Sequence, residues 1–206
     1  FASGESGNGY AIYAHSYLVN LTLILFKDFK INNINSGQTN SIIYIKMDDD
    51  PEKEKDVVLT PTIDSLTFEK INGVSAFALD IKNYVIMKNL SFDNNKIQTN
   101  LPCINLNNWN VVDFVSIQNS TFTNIIDGRC IYITTDEAKF RAKFHNCLFE
   151  KNEKQTDRSI ASGGASIYCT GNANIEISRC YFIDNIAHTD GGAIYAETDA
   201  ININNC

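Results

Sequence analysis

Basic residues, prolines and long apolar runs are all in short supply in this chain, and each shortage removes a class of protein. Lys and Arg number 17 against 24 Asp and Glu, a formal charge of −7. No cationic surface is on offer for a phosphate backbone, which excludes nucleic acid as a partner. The most apolar run, Tyr17 to Phe26, carries Asn20 and Thr22 and is far shorter than the ~20 apolar residues of a membrane helix. The chain opens at Phe1 with no initiator Met and no charged-then-apolar leader, which leaves its destination open. Cysteine is sparse and dispersed, six residues in which no His/Cys cluster has metal-ligand spacing. No cofactor and no metal site is expected.

What the chain does have is an unusual pairing of residue types. Among 206 residues, 44% hydrophobic and enough for one domain's core, stand 27 Ile and 26 Asn but only three Pro. Ile favours strands and Asn disfavours them, so the asparagines belong at corners between many short strands. That combination calls for a search for internal periodicity first.

A repeat emerges around six phenylalanines: Phe29, Phe68, Phe92, Phe122, Phe149 and Phe182. Five residues before them stand Ile24, Ile63, Met87, Ile117, Phe144 and Ile177, all apolar, and Ile203 takes the same slot near the end. Three residues after them stand Asn32, Ile71, Asn95, Ile125, Asn152 and Asn185, Asn in four of six. The intervals of 39, 24, 30, 27 and 33 residues read as a constant unit joined by loops of variable length. A second block recurs as Gly191-Gly192-Ala193-Ile194-Tyr195, Gly163-Gly164-Ala165-Ser166-Ile167-Tyr168 and Gly128-Arg129-Cys130-Ile131-Tyr132. Glycine allows the positive φ of a tight corner, and the alternation after it reads as a short strand. One such unit cannot cover its own inner face, whereas stacked units can. The expected fold is therefore all-β, a parallel β-helix of about seven rungs with the pectin-lyase-like architecture, occupying 1–206 as one domain. The residues from Asp136 to Phe144, the best helical stretch, fit the strand frame equally and are read as strand. An ordinary β-sandwich is the alternative.

The pairs Phe182-Ile183-Asp184-Asn185 with Gly191-Gly192-Ala193-Ile194, and Phe149-Glu150-Lys151-Asn152 with Gly163-Gly164-Ala165, resemble the Phe-x-x-Asn and Gly-Gly-Ala-aliphatic motifs of polymorphic-outer-membrane-protein repeats. The likeness is good over Phe149 to Cys206 and fades toward the N-terminus. It implies a right-handed β-helix displayed outside the cell, used in adhesion or as a stalk, with no catalytic residues in the motifs.

Equivalent residues of stacked rungs lie about 4.8 Å apart, so a column of the repeat becomes a contact prediction. Two residues before the anchors stand Cys147 and Cys180, with Cys206 in the same slot; Cys103 and Cys130 form a second column. Such neighbours are within disulfide range, and the pairs Cys103–Cys130 and Cys147–Cys180 would staple rungs in an oxidising compartment. The competing reading is a reduced core ladder. Cys169 has no partner in its column. Three residues before the anchors, Asn89, Asn119 and Asn146 are expected to form a buried asparagine ladder at a left-handed corner. Asn89-Leu90-Ser91 and Asn119-Ser120-Thr121 are also glycosylation sequons, but a buried ladder Asn cannot carry a glycan, which leaves Asn20 as the expected site.

Parallel β-helices also carry polysaccharide lyases and hydrolases, so an enzyme is the alternative function, and a purely structural component of an assembly is another. Hydrolysis needs two carboxylates, one protonated and one ionised. The nearest arrangement, His188-Thr189-Asp190 with Asp184, lies in a stretch where loops of any composition occur, and the bland reading leads. The run Met47 to Asp56 is charged but lacks the spacing of a calcium loop, and Trp109 sits among amides. The reading favoured by sequence is an extracellular or cell-surface repeat protein acting in adhesion or surface architecture. It is expected to be a piece of a longer chain whose partners are that chain's other segments and glycan or protein ligands.

Overall fold

The computed structural model describes residues 12–15, 21–27, 41–47, 62–71, 75–81, 84–96, 102–107, 114–154 and 163–206. Among them no helix occurs, and all regular structure is β. In chain order the strands are β1 Ile12–His15, β2 Leu21–Lys27, β3 Ser41–Met47, β4 Thr62–Glu69, β5 Ser75–Ile81, β6 Tyr84–Lys88, β7 Ser91–Asp93, β8 Pro102–Asn107 and β9 Phe114–Gln118. They continue with β10 Thr121–Thr123, β11 Arg129–His145, β12 Leu148–Glu150, β13 Glu153–Lys154, β14 Ile167–Ser178, β15 Tyr181–Ile183, β16 Ile186–Ala187 and β17 Ile194–Asn204.

Every pairing between these strands is parallel, and three series of pairings run side by side. One joins β1, β3, β5 and β8 to the first part of β11, and from there β14 and β17. The second joins β2, β4, β6 and β9 to the last part of β11, then β14 and β17. The third runs from the end of β4 through β7, β10 and β12 to β15. Asp136 to Phe144 lies inside β11. That strand runs 17 residues because two segments of the repeat join across a register shift between Thr135 and Phe140, which bends the strand without ending its pairing.

Two left-handed corners recur five residues apart, at Ser65 and Lys70, Asn89 and Asn94, Asn119 and Asn124, Asn146 and Lys151, and Arg179 and Asp184. Within each five-residue step a Phe points inward from a short strand, which stands alone as β7, β10, β12 and β15 and forms the end of β4 in the first step. Phe68, Phe92, Phe122 and Phe149 are wholly buried, and with Phe182 their rings stack at centroid distances of 4.9, 4.8, 4.9 and 5.0 Å within 6° of parallel. Beside them the column Ile63, Met87, Ile117, Phe144, Ile177 fills the interior. Each such side chain contributes roughly 1.5–3 kcal/mol by leaving water.

The frame shifts at its N-terminal end. Phe29 lies outside the described residues, and the residue opposite Phe68 is Phe26, with Leu21 opposite Ile63 and Ile24 opposite Leu66. The anchor read at Phe29 is therefore displaced by three residues. Long connections flank this repeat, so spacing alone could not fix its phase.

Candidate functional site

The repeat residues hold the stack together from two kinds of asparagine position. The asparagines after the Phe anchors form an inward ladder. Asn95 accepts the Ile71 amide at 2.7 Å and donates to the Phe68 carbonyl at 3.0 Å. Asn152 accepts from the Ile125 amide at 3.1 Å and donates to the Phe122 carbonyl at 3.0 Å and to Asn185 Oδ1 at 2.9 Å. Asn185 in turn accepts from the Asn152 amide and donates to the Phe149 carbonyl. Each Asn thus pairs backbone groups of the preceding repeat that would otherwise be buried and unmet.

The corner column Asn89, Asn119, Asn146 differs from its expected burial. All three are exposed, with φ of 55, 48 and 53°, because a left-handed corner turns its side chain away from the interior. Asn146 Nδ2 donates to Asn119 Oδ1 at 2.9 Å, while Asn89 Nδ2 turns to Asp64 Oδ1 at 2.8 Å. Burial therefore gives no reason to deny a glycan to Asn89 or Asn119. Asn20 lies outside the described residues, as do Trp109 and residues 48–56.

The six cysteines are all unbridged. Pro102 faces Arg129 and Ile104 faces Ile131, which sets Cys103 opposite Cys130. Leu148 faces Tyr181, which sets Cys147 opposite Cys180. Cys169 stacks between Ile133 and Ala196. The thiols of the Cys147 column act where Ser120 acts with its hydroxyl. Ser120 Oγ donates to the Gln118 carbonyl at 2.7 Å and accepts the Leu90 amide at 3.1 Å. Cys206 Sγ donates to the Asn204 carbonyl at 3.4 Å and accepts the Cys180 amide at 3.4 Å. The Cys147 thiol donates toward Cys180 and lowers the Cys180 thiol to about 7, while burial pushes Cys103 and Cys130 well up.

In the glycine blocks the tyrosines set the phase. Tyr168 faces Tyr195, so Gly164 lies over Gly191, at φ of 65 and 58°, and Gly163 lies over Asp190. A Cβ on Gly163 would lie 2.6 Å from the Asp190 carbonyl oxygen, whereas one on Gly192 meets only the Asn185 carbonyl oxygen at 3.3 Å. Tyr132, Tyr168 and Tyr195 stack at 5.1 and 5.0 Å, and the buried Arg129 guanidinium lies 4.2 Å from the Tyr168 ring centre while Nε donates to the Gly163 carbonyl.

Beside the packed repeat residues, the outward positions of β9, β11, β14 and β17 line up in rows. Across these strands Phe114, Arg141, Asn174 and Ala200 form one row, and Ser116, Lys143, Glu176 and Asn202 the next. All of these except the buried Ser116 line a groove of about 270 Å³ with Ile175 and Ile201. Lys143 is paired to Glu176 at 2.9 Å. Arg141 is exposed, lies 5.7 Å from the Phe114 ring centre, and meets no carboxylate among the described residues. Sequence reading missed this groove because its residues do not repeat. The available signal was position: Phe114 and Arg141 stand three residues before the inward Ile117 and Phe144, on the outward side of the alternation.

Of the trio His188, Thr189, Asp190, the His188 Nε2 meets Glu153 Oε1 of the preceding repeat at 3.1 Å and the Asp190 carbonyl accepts the Gly164 amide. His145 Nδ1 meets Ser178 Oγ at 2.9 Å. Among the described residues no three His, Cys, Asp or Glu side chains stand together as a metal site, and no helix is long and apolar enough to cross a membrane.

Residues 179–197 match the model of the Chlamydia polymorphic membrane protein repeat. The span holds Phe182, Asn185, Gly191 and Gly192, the residues that the stack uses as anchor, ladder and corner. No curated protein and no solved structure matches the chain.

Proposed function

We propose that this chain is a β-helical segment of a cell-surface protein that acts in adhesion or surface architecture. The observation that carries the reading is the coincidence between the matched repeat at 179–197 and the packing roles of its residues. The family is named for a membrane protein, and the match falls where anchor, ladder and corner residues are spent on stacking. Outward faces are then left for contact with other molecules.

The architecture proposed is a right-handed solenoid of about seven rungs spanning 1–206. Serial parallel pairing of β2, β4, β6, β9, β11, β14 and β17 supports the count, and the strong right-handed preference of parallel crossovers supports the hand. Outside the cell, Cys103–Cys130 and Cys147–Cys180 would close as staples, since their strand spacing falls in disulfide range.

Surface display is tested by labelling intact cells with an antibody to the folded chain and by mild proteolysis before lysis. Signal on intact cells and loss of the protein to external protease are expected. Signal only after lysis overturns the reading. Inert beads coated with the chain are expected to be retained on host cells or on the producing cell's own matrix.

A further inference from the structure

We propose that the groove across β9, β11, β14 and β17 binds a carboxylate-bearing sugar of a glycan, a ligand class that deepens and rests on the adhesion reading. The proposal begins with charge. The chain carries −7 overall, yet the groove presents Arg141 exposed and without a carboxylate among the described residues. Its neighbour Lys143 is already held by Glu176 at 2.9 Å. Within the groove Arg141 is the guanidinium left open among the described residues, and one such fork matches one carboxylate at a time. A dense polyanion would be repelled by the rest of the surface.

Geometry then favours a sugar over a peptide. Arg141 lies on the Phe114 ring, which holds a planar fork suited to two-point contact with a carboxylate. Next to it Asn174 is exposed, and Asn202 keeps its Nδ2 open while its Oδ1 accepts from Asn204 at 3.0 Å. Amides donate and accept at once, as vicinal hydroxyls require. Phe114 lines the same groove and offers an aromatic face for the C–H side of a ring. β9, β11 and β14 are paired on both sides, so these walls need little ordering on binding.

The test is calorimetric titration of the full chain with trigalacturonic acid and with sialyllactose, which separate plant-type uronate from animal-type sialic acid. The methyl ester of the first and lactose are neutral controls, and a capped pentaglutamate is the peptide control. Binding of one acidic sugar, a loss of at least tenfold on esterification and a similar loss in Arg141→Gln are expected. Arg141→Lys should fall between, and Glu176→Gln, which frees Lys143, should bind more tightly. No binding of either acidic sugar, equal binding by a folded Arg141→Gln, or stronger binding of pentaglutamate overturns the proposal. Cell retention separates the two readings. If Arg141→Gln still adheres and free sugar does not compete, the groove assignment falls while adhesion stands. If sugar binds but no cell is retained, adhesion falls instead.

Discussion

Asn152 holds Ile125 from one repeat away, its Oδ1 accepting the Ile125 amide at 3.1 Å while its Nδ2 donates to the carbonyl of Phe122. Both backbone groups are in the interior, and neither can turn to water if the side chain is removed. Asn152→Ala is therefore expected to cost about 2–4 kcal/mol, the sum of two unmet buried groups. Urea unfolding measures it, and a change below about 1 kcal/mol would show that water or relaxation replaces the ladder.

The ring column yields a comparison within one chemistry. Phe122 is wholly buried between Phe92 and Phe149, whereas Phe182 is only partly buried. Phe122→Ala should lower stability by roughly 3–5 kcal/mol, and Phe182→Ala should cost less than half as much. Equal losses in denaturant midpoint would contradict the stacking order.

Adjacent glycines of one motif should behave as opposites. At Gly191 the φ of 58° and the crowding of a Cβ against the Ile194 carbonyl oxygen make alanine strained, while Gly192 has an ordinary φ and 3.3 Å of clearance. Gly191→Ala is expected to lower the melting temperature by several degrees. Gly192→Ala should leave it within a degree or two.

Acid should act through Asp64. The Asn89 amide at 2.8 Å, with the Ser65 hydroxyl and the Lys88 ammonium, holds this carboxyl below its ordinary 3.8. The folded chain thus favours the ionised form. The stabilisation is complete above that ordinary value and disappears as pH falls through the lower folded value. Asp64→Asn should flatten the stability profile below about pH 4, and two parallel profiles would remove Asp64 from the acid response.

Thiol labelling should follow exposure and basicity together. Cys206 is exposed, whereas Cys103, Cys130 and Cys169 are buried, with Cys169 pushed up to about 12 by burial. Iodoacetamide on the reduced folded chain should modify Cys206 first and the three core thiols only on unfolding. Peptide mass spectrometry over a time course decides the order.

The repeat was legible in the sequence wherever a side chain had a fixed inward job. The frame set by Phe68 through Phe182 is the frame in which the strands pair, because an apolar residue at each slot is demanded by burial. At Phe29 the same reasoning failed, since one Phe among Ile24, Phe26 and Leu25 can satisfy the pattern in more than one phase. Column reasoning also placed Asn89, Asn119 and Asn146 at one corner but misjudged their burial, because a corner amide and a core amide look alike in letters. The inward ladder belongs to the buried Asn95 and Asn152 and the half-buried Asn185, whose backbone partners lie 24 to 36 residues away. Phe114, Arg141 and Asn174 carried no periodic signal, since burial does not hold an outward position to one residue type from repeat to repeat.

The constant five-residue step between the two left-handed corners confines change in length to the rest of each repeat. Insertions and deletions can therefore enter at the remaining edge without moving any ring or amide out of line. Length can thus vary on one side of the molecule while the stacked rings and amides on the other keep their register, so tolerance of change and mechanical continuity fall to different faces of one coil.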